Sequence, residues 1–112
     1  MDIAFKHMDR SEAVENIARE TFESILDKHG ENPISFRALF SVNRKFKSVH
    51  ISAHLRDGHQ VELEQGEDNI YKAIELIGDR LGRELRKQKN KRISQRNKEA
   101  LKNADFEMMS EE

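Results

Sequence analysis

The sequence contains no cysteine, only one proline and one tyrosine, and no long apolar run. Without cysteine the chain can form neither a disulfide bond nor a thiolate metal site, which fits a reducing compartment. No apolar segment approaches the roughly 18 residues that a membrane-spanning helix needs, and the start of the chain lacks the apolar core of a signal peptide. These absences predict a soluble intracellular protein, and 112 residues are enough for one small domain.

Net charge is also small, although 37% of the residues are charged. The overall balance of −1 conceals three segments of alternating sign. Residues 1–68 carry 9 basic and 13 acidic residues, residues 69–98 carry 10 and 3, and residues 99–112 carry 1 and 5. The corresponding net charges are −4, +7 and −4. A positive segment of this size favours a polyanionic partner, and nucleic acid is the commonest one.

The first half of the chain begins with a strand and a helix. Residues 2–7 alternate apolar and polar side chains, which predicts a short strand. Ser11 is a good N-cap, and the apolar spacing after it predicts a helix over residues 11–29 that ends at Gly30. Residues 34–43 are rich in strand formers and too few for a second helix of that kind, so they are predicted to form the second strand.

Two further strands follow. Residues 44–47 form a basic turn, and residues 48–56 show the clearest alternation in the chain, which predicts a half-buried strand. Asp57 and Gly58 are a hairpin signal. Residues 60–64 alternate again, and residues 65–68 are predicted to turn, with Asp68 capping the next helix.

The order of elements predicts the fold class. It is α+β, a two-layer sandwich with the order β-α-β-β-β-α. Both helices lie on one face of a four-stranded sheet, as in a double-stranded-RNA-binding domain. The other sheet face stays exposed, and it carries four polar side chains: His50, Ser52, His54 and Arg56.

Residues 69–92 form the most basic helix. On a helical wheel, Ile and Leu side chains fall on one side and most Lys and Arg side chains on the other. The candidate RNA-binding residues are Lys72, Arg80, Arg83, Arg86, Lys87, Lys89, Lys91 and Arg92. Arginine can grip a phosphate through two parallel hydrogen bonds. The alternative is an ordinary solvated helix face.

No motif predicts catalysis. His50 and His54 share a strand face, but about 13 Å of strand separates them, so one metal ion cannot bind both. Gly78 and Gly82 lie inside a helix and not in a phosphate-binding loop. We therefore expect no enzymatic activity, no metal, no cofactor and no small-molecule substrate.

The segment DNIYKAIELIGDRLGRELRKQKNK resembles the C-terminal helix of the ribosome hibernation factor family. The matching positions are Ile70, Tyr71, Ala73, Ile74, Asp79, Arg80, Leu81, Leu85, Lys87 and Lys89. The opening segment MDIAFKHMDRSEAVENIARETF is also similar to that family. The ending KNADFEMMSEE resembles the acidic, Phe-containing tail of its short inhibitor A type, also called protein Y. The chain departs from the family pattern at Asn69, Glu84 and the two helical glycines.

The resemblance implies a function. It implies a monomer, cytoplasmic and ribosome-associated, with a ribosome-binding domain over residues 1–92 and a flexible acidic tail over residues 93–112. Such proteins bind the 30S subunit, alone or in the 70S ribosome, at the decoding centre through 16S rRNA. They block mRNA and the A- and P-site tRNAs and preserve idle ribosomes under stress. In the inhibitor A type the tail opposes ribosome dimerisation.

Two alternatives remain open beside this implication. A general double-stranded RNA-binding domain would bind naked duplex RNA as well as it binds ribosomal subunits. A protein-interaction regulator, in keeping with an older description of the family as modulators of a sigma factor, would be insensitive to charge reversal on the basic helix.

Overall fold

The structure, a computed structural model, describes the backbone of residues 1–104 and the side chains of residues 1–89. It confirms the predicted α+β fold and its element order. The elements are β1 (Asp2–Lys6), α1 (Glu12–Lys28), β2 (Ser35–Asn43), β3 (Phe46–His54), β4 (Gln60–Glu67) and α2 (Ile70–Ala104).

The four strands form one mixed sheet in the order β1-β2-β3-β4. Strand β1 pairs with β2 in parallel, and the other two pairs are antiparallel. A parallel pair requires a crossover connection, which α1 provides. Alternate strand residues face the two helices and form a single core with them. Its largest fully buried side chains are Phe22, Phe40, Ile51, Leu55, Ile74, Ile77, Leu81 and Leu85.

Helix α1 begins and ends close to its predicted limits. The hydroxyl oxygen of Ser11 accepts a hydrogen bond from the backbone N–H of Val14 at 3.3 Å. This is the N-cap contact that a serine supplies at a helix start. At the other end, Gly30 has a φ of 64°, a left-handed conformation that glycine adopts without steric cost.

Strand β4 is longer than predicted. Residues 65–67 were expected in a turn, but they pair with β3, where Glu67 lies opposite Lys47. The turn between β2 and β3 is correspondingly short. Only Arg44 and Lys45 form it, because Phe46 and Lys47 belong to β3.

Helix α2 has a different N-cap from the one predicted. The side-chain oxygen of Asn69 accepts hydrogen bonds from the backbone N–H groups of Tyr71 at 2.8 Å and Lys72 at 3.3 Å. The cap is therefore Asn69 and not Asp68. A single side-chain amide oxygen satisfies two N–H groups that have no partner within the helix.

The two glycines of α2 lie against α1 and its C-terminal end. A Cβ atom added to Gly78 would lie 3.0 Å from Cδ1 of Ile25, which is closer than side chains normally approach. At Gly82 the nearest atom would be Nε2 of His29 at 3.6 Å. Gly78 therefore permits the close approach of the two helices, and Gly82 is in ordinary contact.

The backbone of α2 remains helical as far as Ala104. The predicted tail, residues 93–112, thus begins within helical backbone. Residues 105–112, which include Phe106 and most of the acidic ending, lie outside the described residues.

Candidate nucleic-acid interface

The second half of α2 carries a compact group of exposed cations, which we name the basic ridge. It consists of Arg83, Arg86, Lys87 and Lys89, all of which are exposed or half-exposed. Leu81 and Leu85, on the side of the helix opposite Arg83 and Lys87, are buried in the core at 0% and 1% exposure. The helix rises about 1.5 Å per residue, so the four charges fall within roughly 9 Å along its axis.

No member of the ridge is neutralised by a described side chain. The ion pairs among residues 1–89 involve none of the four. The nearest acid in sequence, Glu84, instead accepts a hydrogen bond from the amide of Gln88 at 3.1 Å. Uncompensated cations held on a rigid helix are well suited to replace the counterions of nucleic-acid phosphates.

The first half of α2 has a mixed outer surface. Glu75 and Asp79 are exposed there together with Lys72. Lys72 precedes Arg83 by about 17 Å of helix, so these acids separate it from the ridge. Among the described side chains of α2, the positive charge is therefore concentrated after Asp79.

Arg80 differs from the other candidate residues. It was expected to face solvent, but it is half-buried and its Nη1 donates to the backbone carbonyl of Glu64 and to Oε1 of Gln65. The second of these bonds is 3.1 Å long. Its guanidinium therefore connects α2 to β4. Whether it also contacts RNA remains a prediction.

Lys91 and Arg92 complete the predicted set. Their backbone continues α2 beyond the ridge, and their side chains lie outside the described residues. The structure therefore brings together four of the eight candidates and sets Lys72 and Arg80 apart from them.

Helix α1 presents the opposite charge beside α2. It has five acidic and two basic residues between Glu12 and Lys28. Hydrogen bonding from Arg10, and then from Arg19, lowers the pKa of Glu15 below its usual value. These two arginines lie 2.7 Å and 3.2 Å from the carboxylate, so they are engaged within the protein.

The exposed face of the sheet carries a hydrogen-bonded carboxylate. Ser52 donates to Oε2 of Glu62 at 2.7 Å, and Nε2 of His50 lies 2.7 Å from Oε1. The hydrogen bond from Ser52, followed by that from His50, lowers the pKa of Glu62. Arg56 was predicted to share this face, but it lies beyond β3 and its Nε donates to the carbonyl of Asn32 at 2.7 Å.

The start of β3 holds an aromatic residue that our sequence prediction did not select. Phe46 is 57% exposed, and its ring lies over Gly66 of β4. Arg44 and Lys45 are exposed beside it. The available signal was an aromatic residue within a run of cations, RKFK, which is typical of nucleic-acid-binding surfaces.

Among the residues with described side chains, no group of three or more His, Asp or Glu is placed to hold a metal ion. In the same part of the chain, no helix has the length and apolar content needed to cross a membrane.

Comparison with known proteins identifies the family. Residues 1–93 match the family described as sigma 54 modulation protein / S30EA ribosomal protein. The chain belongs to this family of ribosome-associated modulation proteins, which confirms the family suggested by the resemblance.

Two solved structures share the fold. A ribosomal subunit interface protein from Coxiella burnetii is 21% identical, with a TM-score of 0.68 over 80% of this chain and 96% of the other. The N-terminal domain of Thermus thermophilus Protein Y is 17% identical, with a TM-score of 0.68 over 78% and 98%. A search of curated proteins gives no significant match.

Proposed function

We propose that the protein is a translation inhibitor that binds the 30S subunit at the decoding centre through 16S rRNA. Bound there, it blocks mRNA and the A- and P-site tRNAs and preserves idle ribosomes under stress. The observation that carries the proposal is the basic ridge, four exposed cations within two turns of one helix that no described side chain neutralises. Family membership supports the ribosome as the source of the RNA.

The ridge suits RNA phosphates for physical reasons. Arg83 and Arg86 can each form two parallel hydrogen bonds to one phosphate, whereas Lys87 and Lys89 contribute point charges. Side chains cannot read the deep, narrow major groove of an RNA helix, so contacts of this kind follow backbone shape. The proposed binding is thus salt-dependent and guided mainly by the fold of the rRNA.

The acidic character of the rest of the chain supports selectivity. Helix α1 carries five acidic and two basic residues, so RNA phosphates that approach from its side are repelled. Favourable binding therefore requires an RNA surface that contacts the basic ridge and has no phosphates close to α1. A folded ribosomal subunit offers such a surface, whereas a simple duplex offers the same backbone at every position.

We also propose the division of the chain into a ribosome-binding domain, residues 1–92, and a tail, residues 93–112. Two observations support it. The family match ends at residue 93. Leu85 is the last buried residue among the described side chains, so the core contacts of α2 end before the proposed boundary.

The proposal is tested by sedimentation of the purified protein with isolated small subunits, large subunits and a naked RNA duplex. The mixtures are compared at about 50 mM and about 200 mM salt. We expect selective pelleting with small subunits that weakens at the higher salt. Equal binding to the duplex would instead favour a general double-stranded RNA-binding domain. Binding to none of the three would contradict an RNA partner altogether.

A site within the ribosome is tested by competition. Protein bound at the decoding centre should be displaced from small subunits by mRNA together with initiator tRNA. If the protein remains bound when both mRNA and initiator tRNA are present, its binding site lies elsewhere on the subunit.

A further inference from the structure

The ring of Phe46 is exposed and held in place. Its exposed fraction of 57% is large for an aromatic side chain on a polar surface. A Cβ atom added to Gly66 would overlap Cε2 and Cζ of the ring, so the ring rests directly on the backbone of β4. Supported on this side, it can present another surface to a flat partner with little loss of side-chain freedom.

An open depression adjoins this ring on the exposed face of the sheet. Its volume is about 730 Å³, within the range of small-ligand sites. The lining combines apolar surface with polar groups, including Lys6, His7, Leu39, Phe46, His50 and Glu64. The Glu64 carboxylate can accept a hydrogen bond from the amino group of a nucleobase.

Charge at this end of the sheet favours an anion. Lys6, Arg44 and Lys45 are exposed, and none of them forms an ion pair with a described side chain. Glu64 is the carboxylate that lines the depression. Lys47 is engaged elsewhere, because its Nζ donates to the carbonyl of Asp68 at 3.2 Å.

We propose that this end of the open sheet face is a second RNA contact, at which an unpaired base stacks on Phe46. Lys6 and Arg44 then hold the neighbouring phosphates. A base stacked on an aromatic ring beside cations is the usual way in which proteins hold single-stranded RNA. The inference rests on the proposed function in one respect, namely that RNA is the partner.

This contact is separate from the basic ridge. The bond from Lys47 to Asp68 places the β2–β3 turn beside the start of α2, whereas Arg83 lies roughly 20 Å further along that helix. Two contacts on one RNA reinforce each other through effective concentration. The second contact therefore favours an RNA that has an unpaired base at the distance of Phe46 from the basic ridge, and it disfavours a continuous duplex.

The other exposed aromatic residue of the described chain is less suited to this role. Tyr71 is 46% exposed and lies in a groove between α1 and α2. Glu75 and Asp79 line that groove beside a single cation, Lys72, so its net negative charge repels phosphates. Tyr71 therefore provides a matched control for Phe46.

The test uses tryptophan fluorescence. The chain has no tryptophan, so Phe46→Trp places a single reporter in the proposed site. An oligouridylate of roughly six nucleotides should quench its emission saturably, because a base stacks on the indole. An abasic oligomer of the same charge, or a glutamate hexapeptide, should not. Absence of quenching by oligouridylate, or equal quenching by either control, would overturn the proposal.

Affinity measurements on variants complete the test. Phe46→Ala should weaken oligouridylate binding about tenfold or more, since stacking on the ring is lost, whereas Tyr71→Ala should leave it unchanged. Phe46→Tyr should retain binding. Equal affinities for the wild type and Phe46→Ala, with both proteins folded by circular dichroism, would refute the base-stacking contact.

The two proposals fail in distinguishable ways. Adding Arg83→Glu and Lys87→Glu to the Phe46→Trp reporter protein should leave quenching by oligouridylate in place, because the ridge is distant. If subunits are bound without any quenching by the oligomer, the second contact is wrong and the ribosomal function stands. If quenching occurs but no subunit is bound, the second contact stands and the ribosomal function is wrong.

Discussion

The ring of Phe46 lies directly over the α-carbon of Gly66, so that any β-carbon at position 66 would overlap the ring. These residues belong to the neighbouring strands β3 and β4, and the contact joins the β2–β3 turn to the sheet. This packing relationship on the exposed sheet face can be tested by mutation.

Gly66→Ala should displace the Phe46 ring. The clash involves the far end of an exposed side chain, so we expect a stability loss of no more than about 1 kcal/mol. In the Phe46→Ala background the same change should be neutral or stabilising, because alanine suits a strand better than glycine. Urea denaturation of the four proteins in this double-mutant cycle measures the coupling. Additive effects would show that the two residues do not interact.

Ile74→Asp should unfold the domain. Ile74 is 1% exposed in the core, and an unpaired carboxylate there costs several kcal/mol, a large share of the stability of a small domain. Circular dichroism and thermal denaturation provide the measurement. Glu75→Asp is the matched control, because it introduces the same side chain at the neighbouring, exposed position of α2. A cooperative, near-native transition for Ile74→Asp would contradict the assignment of this helix face to the core.

Gly82→Ala should stabilise the protein by up to about 1 kcal/mol, the difference in helix propensity between the two residues. A Cβ atom there meets Nε2 of His29 at an ordinary 3.6 Å. Gly78→Ala should increase stability less, because its Cβ would lie 3.0 Å from Cδ1 of Ile25 and 3.3 Å from Cγ2 of Thr21. The urea midpoints of the two variants decide the matter. A higher midpoint for Gly78→Ala than for Gly82→Ala would contradict the close helix packing.

Ser52→Ala should destabilise the protein more at about pH 7 than at about pH 3. The hydrogen bond from Ser52, ahead of that from His50, lowers the pKa of Glu62 in the folded state. A lowered carboxyl pKa contributes stability above the unfolded pKa, and this contribution disappears as the pH falls through the folded pKa. The effect of Ser52→Ala on the urea midpoint should therefore decrease with acidification.

Ser48→Ala is the control for this pH dependence. Ser48 lies on the same strand, but its hydroxyl bonds to the hydroxyl of Ser41 at 2.7 Å and not to a carboxylate. The effect of Ser48→Ala on the urea midpoint should change less between about pH 7 and about pH 3 than that of Ser52→Ala. If the two serine variants show the same pH profile, the Ser52–Glu62 bond does not set the pKa of Glu62.

Local signals in the sequence were sufficient for the fold class and for α1. The N-cap Ser11 and the left-handed Gly30 define that helix through contacts within a few residues. The end of β4 was missed because Glu67 is held by pairing with Lys47, which lies far earlier in the chain. Such pairing depends on tertiary structure and leaves no local pattern.

In the candidate site, too, the features set by local sequence were predicted and those set by tertiary contacts were missed. Helical periodicity correctly placed Arg83, Arg86 and Lys87 on the outer side of α2. It could not reveal that Arg80 reaches a backbone carbonyl of β4, because a helical wheel contains no neighbouring strand. Phe46 was assigned to a turn, because no local pattern indicates that Gly66 of β4 lies beneath its ring.

The most direct test of the central claim is the salt dependence of small-subunit binding for the wild type and Arg83→Gln/Lys87→Gln. Each cation that contacts phosphate contributes about 0.7 to 0.9 to the slope of log affinity against log salt. We predict weaker binding and a slope reduced by roughly 1.4 to 1.8 in the double variant, and no change for Lys28→Gln on α1. An unchanged slope and affinity in the double variant would show that the basic ridge does not contact RNA.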